Sequence, residues 1–186
     1  MTAAGIVLGA VFGVGWLPLY VFRAEGLTEA LPTYTASERF WVLLTPSVLA
    51  LHVTTTCVAI SLAPRIPRFS AALGLILFAC AIAFWFWGRT MIGPLRVRRL
   101  PEEPPLRLQQ HGAFGVVRHP LYFGYLLAAA APLAVVPRPL FVLTFALCAV
   151  ALMMRAVQEE RRLRAQIGAP YDAYCREVRR LIPFVW

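Results

Sequence analysis

Long apolar runs, separated by short polar or proline-rich segments, dominate the chain. A membrane-spanning helix needs roughly 20 apolar residues, and residues 3–22, 40–62 and 69–87 provide three such runs. Two shorter runs, 121–136 and 140–154, are separated only by a Pro-Arg-Pro sequence, which predicts a tight antiparallel helical hairpin. If both of its helices cross, the protein has five spans; alternatively, the hairpin does not quite traverse the bilayer.

The composition supports a membrane protein. The chain is 60% hydrophobic and its mean hydropathy is +0.68, more than a soluble domain of this size needs to fill one core. We therefore predict an all-α, polytopic integral membrane protein with about five transmembrane helices, a C-terminal helical hairpin and an interfacial C-terminal helix. The first run has no basic residue before it and is too long for a typical signal peptide, so we interpret it as an uncleaved span.

Arginine sets the expected orientation. The net charge of +9 comes from arginine alone, and most arginines lie after Gly88, in the connection before the hairpin and in the segment after it. Excess basic residues mark the cytoplasmic side, which places the N-terminus outside, although Arg65 and Arg68 then lie on the wrong side. We expect a protein of a bacterial inner (cytoplasmic) membrane with its site facing the cytoplasm. A nucleic-acid partner is not expected, because the basic segments alternate with spans.

The polar residues inside the spans have mostly structural interpretations. The four cysteines show no CxxC pairing, so neither a zinc site nor a disulfide framework is predicted. His52 lies in the middle of the second span beside three threonines. A polar residue there usually forms hydrogen bonds between helices, and a functional role is the less favoured alternative.

The stretch "VVRHPLYFG" places a basic pair at the mouth of the fourth span. Proline is favoured at the first position of a helix, so the span is predicted to begin at Pro120. The unpaired N–H groups of Leu121 and Tyr122, the helix dipole and Arg118 then favour an anion next to His119. The alternative is that Arg118 only reaches toward lipid headgroups, as arginines at helix ends often do.

The fifth span is predicted to continue beyond the membrane as far as a cap at Gly168. Arg155 and Glu159 are one turn apart on one face. Arg155 comes about 16 residues after the turn, or roughly 24 Å along a helix, so the hairpin returns both side chains to the level of His119 and Tyr122. The competing interpretation is that this charged run is a solvated surface.

The segment 170–181 has the pattern of an amphipathic interfacial helix. Tyr171, Tyr174, Val178 and Leu181 share one face, and the arginines lie elsewhere. We expect it to anchor the tail on anionic headgroups rather than to take part in catalysis.

Two sequence elements together resemble a known family. "HGAFGVVRHPLYFGYLL" and, after a hairpin-length gap, "EERRLRAQIGAPYDAYCREVRRLIP" are similar to the C-terminal signature of the isoprenylcysteine carboxyl methyltransferase and phospholipid methyltransferase family of membrane enzymes. The similarity covers roughly residues 95–184, about half of the chain. It implies methyl transfer from S-adenosylmethionine to a lipophilic acceptor: an isoprenylcysteine-type carboxylate, a phospholipid amine or a small hydrophobic molecule.

The resemblance also implies residue roles. Residues 1–87 would form a three-span N-terminal membrane region, and residues 88–186 the cofactor-binding and catalytic region. Arg155 and Glu159 match the catalytic arginine and glutamate on the acceptor side. Phe114 is a departure, since relatives often have tyrosine there, and Arg99 is a further candidate. The implied cofactor-binding residues are Leu106, Arg107, Leu108, Gln109, Phe114, His119, Pro120, Leu121, Tyr122 and Glu160.

Two other functions compete with this one. Membrane reductases of the sterol-reductase type share the RHPxYFG element and use NADPH, but they usually lack the double glutamate and often have asparagine where Leu121 stands. A non-catalytic membrane accessory protein is the second alternative. No glycine-rich strand-to-helix motif is present, which excludes a soluble Rossmann mode of cofactor binding. No metal site is indicated, and the sequence identifies no protein partner.

Overall fold

The computed structural model describes residues 2–17, 34–92, 108–183 and 185. Every regular element of these residues is helical, and the prediction of an all-α polytopic protein is confirmed. We number the described helices in chain order: α1 (Ala3–Gly15), α2 (Ala36–Ser61), α3 (Arg68–Ile92), the single turn α4 (Ala113–Val116), α5 (Pro120–Val135), α6 (Pro139–Ile167) and α7 (Ala169–Glu177).

Three of these helices, α2, α3 and α6, are long and apolar enough to cross a membrane. Two of them extend beyond the predicted runs, since α2 begins at Ala36 and α3 continues to Ile92. Helix α5, the predicted fourth span, has 16 residues. Its length is about 24 Å, whereas the hydrocarbon core of a bilayer is about 30 Å thick. The first run extends beyond α1 into residues that the structure does not describe. The count of five spans therefore stays a prediction.

The hairpin is confirmed. Helix α5 ends at Val135, and α6 begins four residues later at Pro139, where proline's missing N–H costs no hydrogen bond. Helix α6 then continues without interruption to Ile167 and ends at Gly168, whose φ of 72° favours glycine. The predicted cap is therefore correct, and α6 projects well beyond the membrane-length part of the hairpin.

The core forms where small residues let helices approach closely. Helix α5 packs most extensively against α3. A side chain at Gly124 of α5 would come within 2.8 Å of the Trp85 Cβ, and one at Gly74 of α3 within 2.2 Å of a methyl group of Val135. Such contacts are the usual way in which helices associate in lipid. One core cluster joins α1, α2, α3, α5 and α6, so helices on both sides of residue 88 share it.

His52 connects three helices and is completely buried. Its Nε2 lies 2.9 Å from the carbonyl oxygen of Ala129 in α5, and its Nδ1 lies 2.8 Å from the hydroxyl of Thr144 in α6. A carbonyl oxygen can only accept, so Nε2 carries a proton and donates it to Ala129. The prediction that His52 forms hydrogen bonds between helices is confirmed.

Helix ends meet in two groups. Gly88 of α3 lies against Pro120 at the start of α5, and the side-chain amide of Gln158 in α6 donates to the carbonyl of Ser37 in α2. At the opposite end, Gly5 of α1 lies beside the carbonyl of Ile60 in α2. Helix α1 therefore begins at the end away from His119. Which end faces the cytoplasm stays a prediction.

Candidate active site

The hairpin brings the residues of its two arms together. The rings of His119 and Tyr122 stack with centroids 5.4 Å apart and planes within 7°. His119 Nδ1 lies 3.7 Å from a carboxylate oxygen of Glu159. Arg155 is close enough to Tyr122 and Glu159 to interact with both electrostatically. These four side chains therefore lie close together, as the length of the hairpin predicts.

Glu160, the neighbour of Glu159, is 1% exposed and is bound by three cationic or protonatable groups. Its Oε1 accepts from Arg118 Nε at 2.9 Å and from Arg180 Nε at 3.0 Å, and lies 3.3 Å from His119 Nε2. Because a carboxylate only accepts, Nε2 of His119 is the donor in this contact, and Nδ1 faces the carboxylate of Glu159. Glu160 thus fixes the orientation of the histidine ring.

The same contacts keep Glu160 ionised. Burial by itself would raise the pKa of this carboxyl, but the hydrogen bonds from His119 and Arg180 and the charge of Arg118 lower it to about 2. A carboxylate held this way is unsuited to proton transfer near neutral pH. Its other oxygen, Oε2, is buried and has no hydrogen-bond partner among the described residues.

A short backbone pairing holds His119 from the other side. Residues 117 and 179 form a parallel bridge. The N–H of Arg118 donates to the carbonyl of Arg179 at 2.8 Å, and the N–H of His119 donates to the carbonyl of Arg180 at 3.1 Å. The segment that follows α7 is therefore tied directly to the residues that precede α5.

This pairing corrects two expectations. Arg118 was expected to favour an external anion, but its guanidinium binds Glu160 and donates to the carbonyls of Cys175 and Val178. Arg180 was expected to lie with the arginines that reach headgroups, and it binds Glu160 instead. In both cases a buried carboxylate within the protein attracts the arginine more strongly than the surface does.

The tail helix also packs more closely than an interfacial anchor requires. Tyr171, Tyr174 and Leu181, on the predicted apolar face, are each less than 5% exposed. The Tyr174 hydroxyl donates to the carbonyl of Phe114 at 2.6 Å. Helix α7 ends at Glu177, four residues before the predicted segment does. The sequence pattern identified the buried face correctly, but that face is covered by the protein.

The remaining cofactor-binding candidates are only partly described. Leu106 and Arg107, like Arg99, lie outside the described residues. Leu108 is half-buried, and Gln109 donates weakly to the sulfur of Met91 at the end of α3, 4.0 Å away. Both therefore lie at the same end of the molecule as His119.

The residues at the start of α5 contribute differently. The side chains of Pro120 and Leu121 pack against Gly88 of α3. Phe114 is half-buried in α4. His119 precedes α5 without a side-chain cap, and the first N–H groups of that helix have no partner within it.

Two features of the site were missed. One is the binding of Glu160 by Arg180. The burial of Glu160 could have been predicted, because Glu160 continues the i, i+4 series of the buried residues Cys148, Leu152 and Ala156. Its pairing with Arg180 has no such signal in the sequence. The other is Tyr34, whose ring lies beneath Arg162 and near Arg155. No periodicity in the sequence links Tyr34 to α6.

The fold and the site define a polytopic helical membrane protein with a charged cluster at the end of a helical hairpin. The isoprenylcysteine carboxyl methyltransferase (ICMT) family matches residues 72–165, from α3 to near the end of α6 and just over half of the chain. The protein belongs to this family of membrane methyltransferases, and the predicted resemblance is confirmed. The match begins earlier than the predicted region and ends before α7. No curated protein and no solved structure matches the chain.

Proposed function

We propose that the protein transfers the methyl group of S-adenosylmethionine to a lipophilic acceptor at the membrane boundary. The observation that supports this most strongly is the meeting of the two arms of the hairpin, with His119 3.7 Å from Glu159 and Arg155 beside Tyr122. The cofactor lies on the α5 side and the acceptor on the α6 side. Family membership favours this reaction over the NADPH-dependent reduction that the RHPxYFG element also allowed.

The start of α5 suits the cofactor. S-adenosylmethionine carries a carboxylate, and an uncapped helix N-terminus with His119 beside it offers N–H donors and a favourable dipole for such a group. When bound, the cofactor supplies an electrophilic methyl group on a sulfonium. The aromatic ring of Tyr122 suits a positively charged neighbour, and Glu159 adds a negative charge at the same place.

Glu160 acts through His119 in this proposal. Its Oε1 is already occupied by Arg118, Arg180 and His119, so its main contribution is to hold the ring in place. Direct contact between Glu160 and the cofactor, which the resemblance implies, stays a prediction for Oε2.

The acceptor side accommodates two chemistries. A carboxylate acceptor is already nucleophilic and needs only to be oriented, which Arg155 can do with its guanidinium donors. An amine acceptor must lose a proton, and Glu159, whose side chain is 28% exposed, is the candidate base. Transfer of a methyl group needs alignment and exclusion of water more than a proton relay, which fits a site at the lipid boundary.

Methyl transfer and cofactor binding test the proposal directly. Membranes containing the protein should transfer labelled methyl groups from S-adenosylmethionine to N-acetyl-S-farnesylcysteine, to phosphatidylethanolamine or to an endogenous lipid extract. Calorimetry on purified protein should detect binding of S-adenosylmethionine and not of NADPH. Binding of NADPH without any binding of S-adenosylmethionine would overturn the proposal.

Substitutions separate the two sides of the site. His119→Ala should weaken cofactor affinity, because it removes the ring at the helix N-terminus. Arg155→Ala and Glu159→Ala should lower turnover on the order of a hundredfold, about 3 kcal/mol of transition-state stabilisation. They should leave cofactor affinity within a few fold. A fully active Arg155→Ala enzyme, shown to be folded by gel filtration, would remove Arg155 from the site.

A further inference from the structure

The start of α2 is fixed firmly to α6. Glu38 and Thr35 form a reciprocal cap: the Thr35 N–H donates to Glu38 at 2.7 Å, and the Glu38 N–H donates to the Thr35 hydroxyl at 3.3 Å. Arg162 of α6 then donates through Nη2 to Glu38 at 2.8 Å and also through Nε. Gln158 of α6 donates to the carbonyl of Ser37. The segment 34–38 therefore has a defined position on the part of α6 that extends beyond the hairpin.

The charge of Glu38 strengthens this attachment. The hydrogen bond from Arg162, together with the contacts from Thr35, lowers the pKa of Glu38 to about 2, so the pair remains ionised at physiological pH. Gln158 and Arg162 lie three and seven residues after Arg155, which places all three side chains on one face of α6. The attachment thus lies directly beside the arginine of the acceptor side.

Tyr34 lies between the two arginines. Its ring centroid is 3.8 Å from the guanidinium carbon of Arg162 and 5.9 Å from that of Arg155. The carbonyl of Tyr34 accepts from Arg39 Nε at 2.9 Å, which holds its backbone against α2. Arg155 Nε is buried and has no hydrogen-bond partner among the described residues. The described electrostatic partners of this guanidinium are Tyr122 and Glu159 of the hairpin and Tyr34, which comes from an earlier part of the chain.

We propose that Tyr34 is the positioning residue of Arg155, and that this residue, two positions before α2, thereby contributes to one wall of the acceptor site. The Tyr34 ring attracts the guanidinium, and its hydroxyl is close enough to interact with Arg155 as well. Both parts of this side chain can therefore hold Arg155 in place for an acceptor. This inference rests on the proposed function. It adds a residue that lies before the family match begins at residue 72 and to which no sequence motif assigned a part in the site.

Two substitutions at Tyr34 and a matched control test the inference. Tyr34→Leu removes the ring and the hydroxyl, and Tyr34→Phe keeps the ring. The control Phe40→Leu removes another aromatic ring near the same end of α2, one that is 56% exposed. Tyr34→Leu should lower kcat/KM for the methylated acceptor on the order of tenfold, the size of one partly desolvated cation–π contact. Tyr34→Phe keeps the ring but lacks the hydroxyl, so its kcat/KM should lie between those of Tyr34→Leu and the wild type. Phe40→Leu should match the wild type.

The pattern of kinetic constants distinguishes positioning from misfolding. A variant that is merely unstable lowers the active fraction, which leaves KM for both substrates unchanged and reduces kcat for every acceptor alike. Loss of positioning should instead change the constants for the acceptor while KM for S-adenosylmethionine stays within about twofold. Equal behaviour of Tyr34→Leu and Phe40→Leu would overturn the inference.

A measurement without turnover makes the inference independent of the proposed reaction. Phenylglyoxal modifies arginine side chains, and peptide mass spectrometry locates the modified residue. Arg155 should react several times faster in Tyr34→Leu than in Phe40→Leu, because the ring no longer restrains and covers the guanidinium. Unchanged reactivity refutes the positioning role even if the enzyme is active. Faster reactivity in a protein that methylates none of the acceptors supports the positioning role and refutes the proposed function.

Discussion

Glu160→Gln should destabilise the protein by about 3 kcal/mol at neutral pH. The carboxylate is buried and accepts from Arg118 and Arg180 beside His119. Its pKa is lowered from 4.5 to about 2, and at roughly 1.4 kcal/mol per pKa unit the ionised form contributes about 3 kcal/mol to folding. Removal of one member of a buried ion pair usually costs 3–5 kcal/mol, so the two estimates agree.

Unfolding of detergent-solubilised protein by increasing denaturant measures this difference. Glu159→Gln is the matched control, because it neutralises the adjacent carboxylate, which is 28% exposed; exposed pairs contribute about 1 kcal/mol or less. A Glu160→Gln variant as stable as this control would refute the reasoning.

The pH dependence of the free energy of unfolding provides a second test, because the direction of the change is determined in advance. Because the folded-state pKa of Glu160 lies below its unfolded value, the stabilisation is complete above pH 4.5 and is lost as the pH falls toward about 2. The difference in the free energy of unfolding between wild type and Glu160→Gln should therefore shrink as the pH falls below 4.5. A difference that widens on acidification would mean that the contacts of Glu160 do not favour its ionised form.

Three further outcomes are expected. Arg180→Gln should weaken binding of S-adenosylhomocysteine on the order of tenfold, since it removes one charge-assisted hydrogen bond from the group that orients His119; Arg179→Gln should not, because its side chain is exposed, and calorimetry compares the two. Gly168→Ala should lower the unfolding midpoint by the equivalent of about 1 kcal/mol, because φ is +72° and no other atom lies within 4 Å of the added carbon, so that the cost is backbone strain alone. Cys175 should react with a membrane-impermeant thiol reagent only from the cytoplasmic side, and labelling from outside intact cells would reverse the proposed orientation.

Local rules were enough to predict the hairpin and the residues that meet in it. The short turn fixes the two helices as antiparallel, a uniform rise of 1.5 Å per residue fixes the level to which Arg155 returns, and the cap at Gly168 follows from glycine alone. These features depend on residues that are near one another in sequence or joined by a rigid helix. Helical geometry therefore allows the positions of residues far along the chain to be predicted, as long as a continuous helix joins them.

The supporting contacts of the site could not be predicted in this way. The bridge between Val117 and Arg179 joins residues far apart in sequence, and Tyr34 approaches α6 from a different part of the chain. Among many arginines near the membrane surface, local sequence does not distinguish one that binds a buried carboxylate from one that binds headgroups. The choice between them is made by tertiary packing, which places Glu160 out of reach of water.

The bridge between the residues before α5 and the segment after α7 also bears on biosynthesis. Arg180 lies 20 residues after Glu160, so it leaves the ribosome only after both arms of the hairpin are available for insertion. Until then Glu160 lacks one of its cationic partners, and the backbone of His119 lacks its acceptor. Completion of the site therefore requires residues 178–180, and a chain truncated before Val178 should insert yet fail to bind the cofactor.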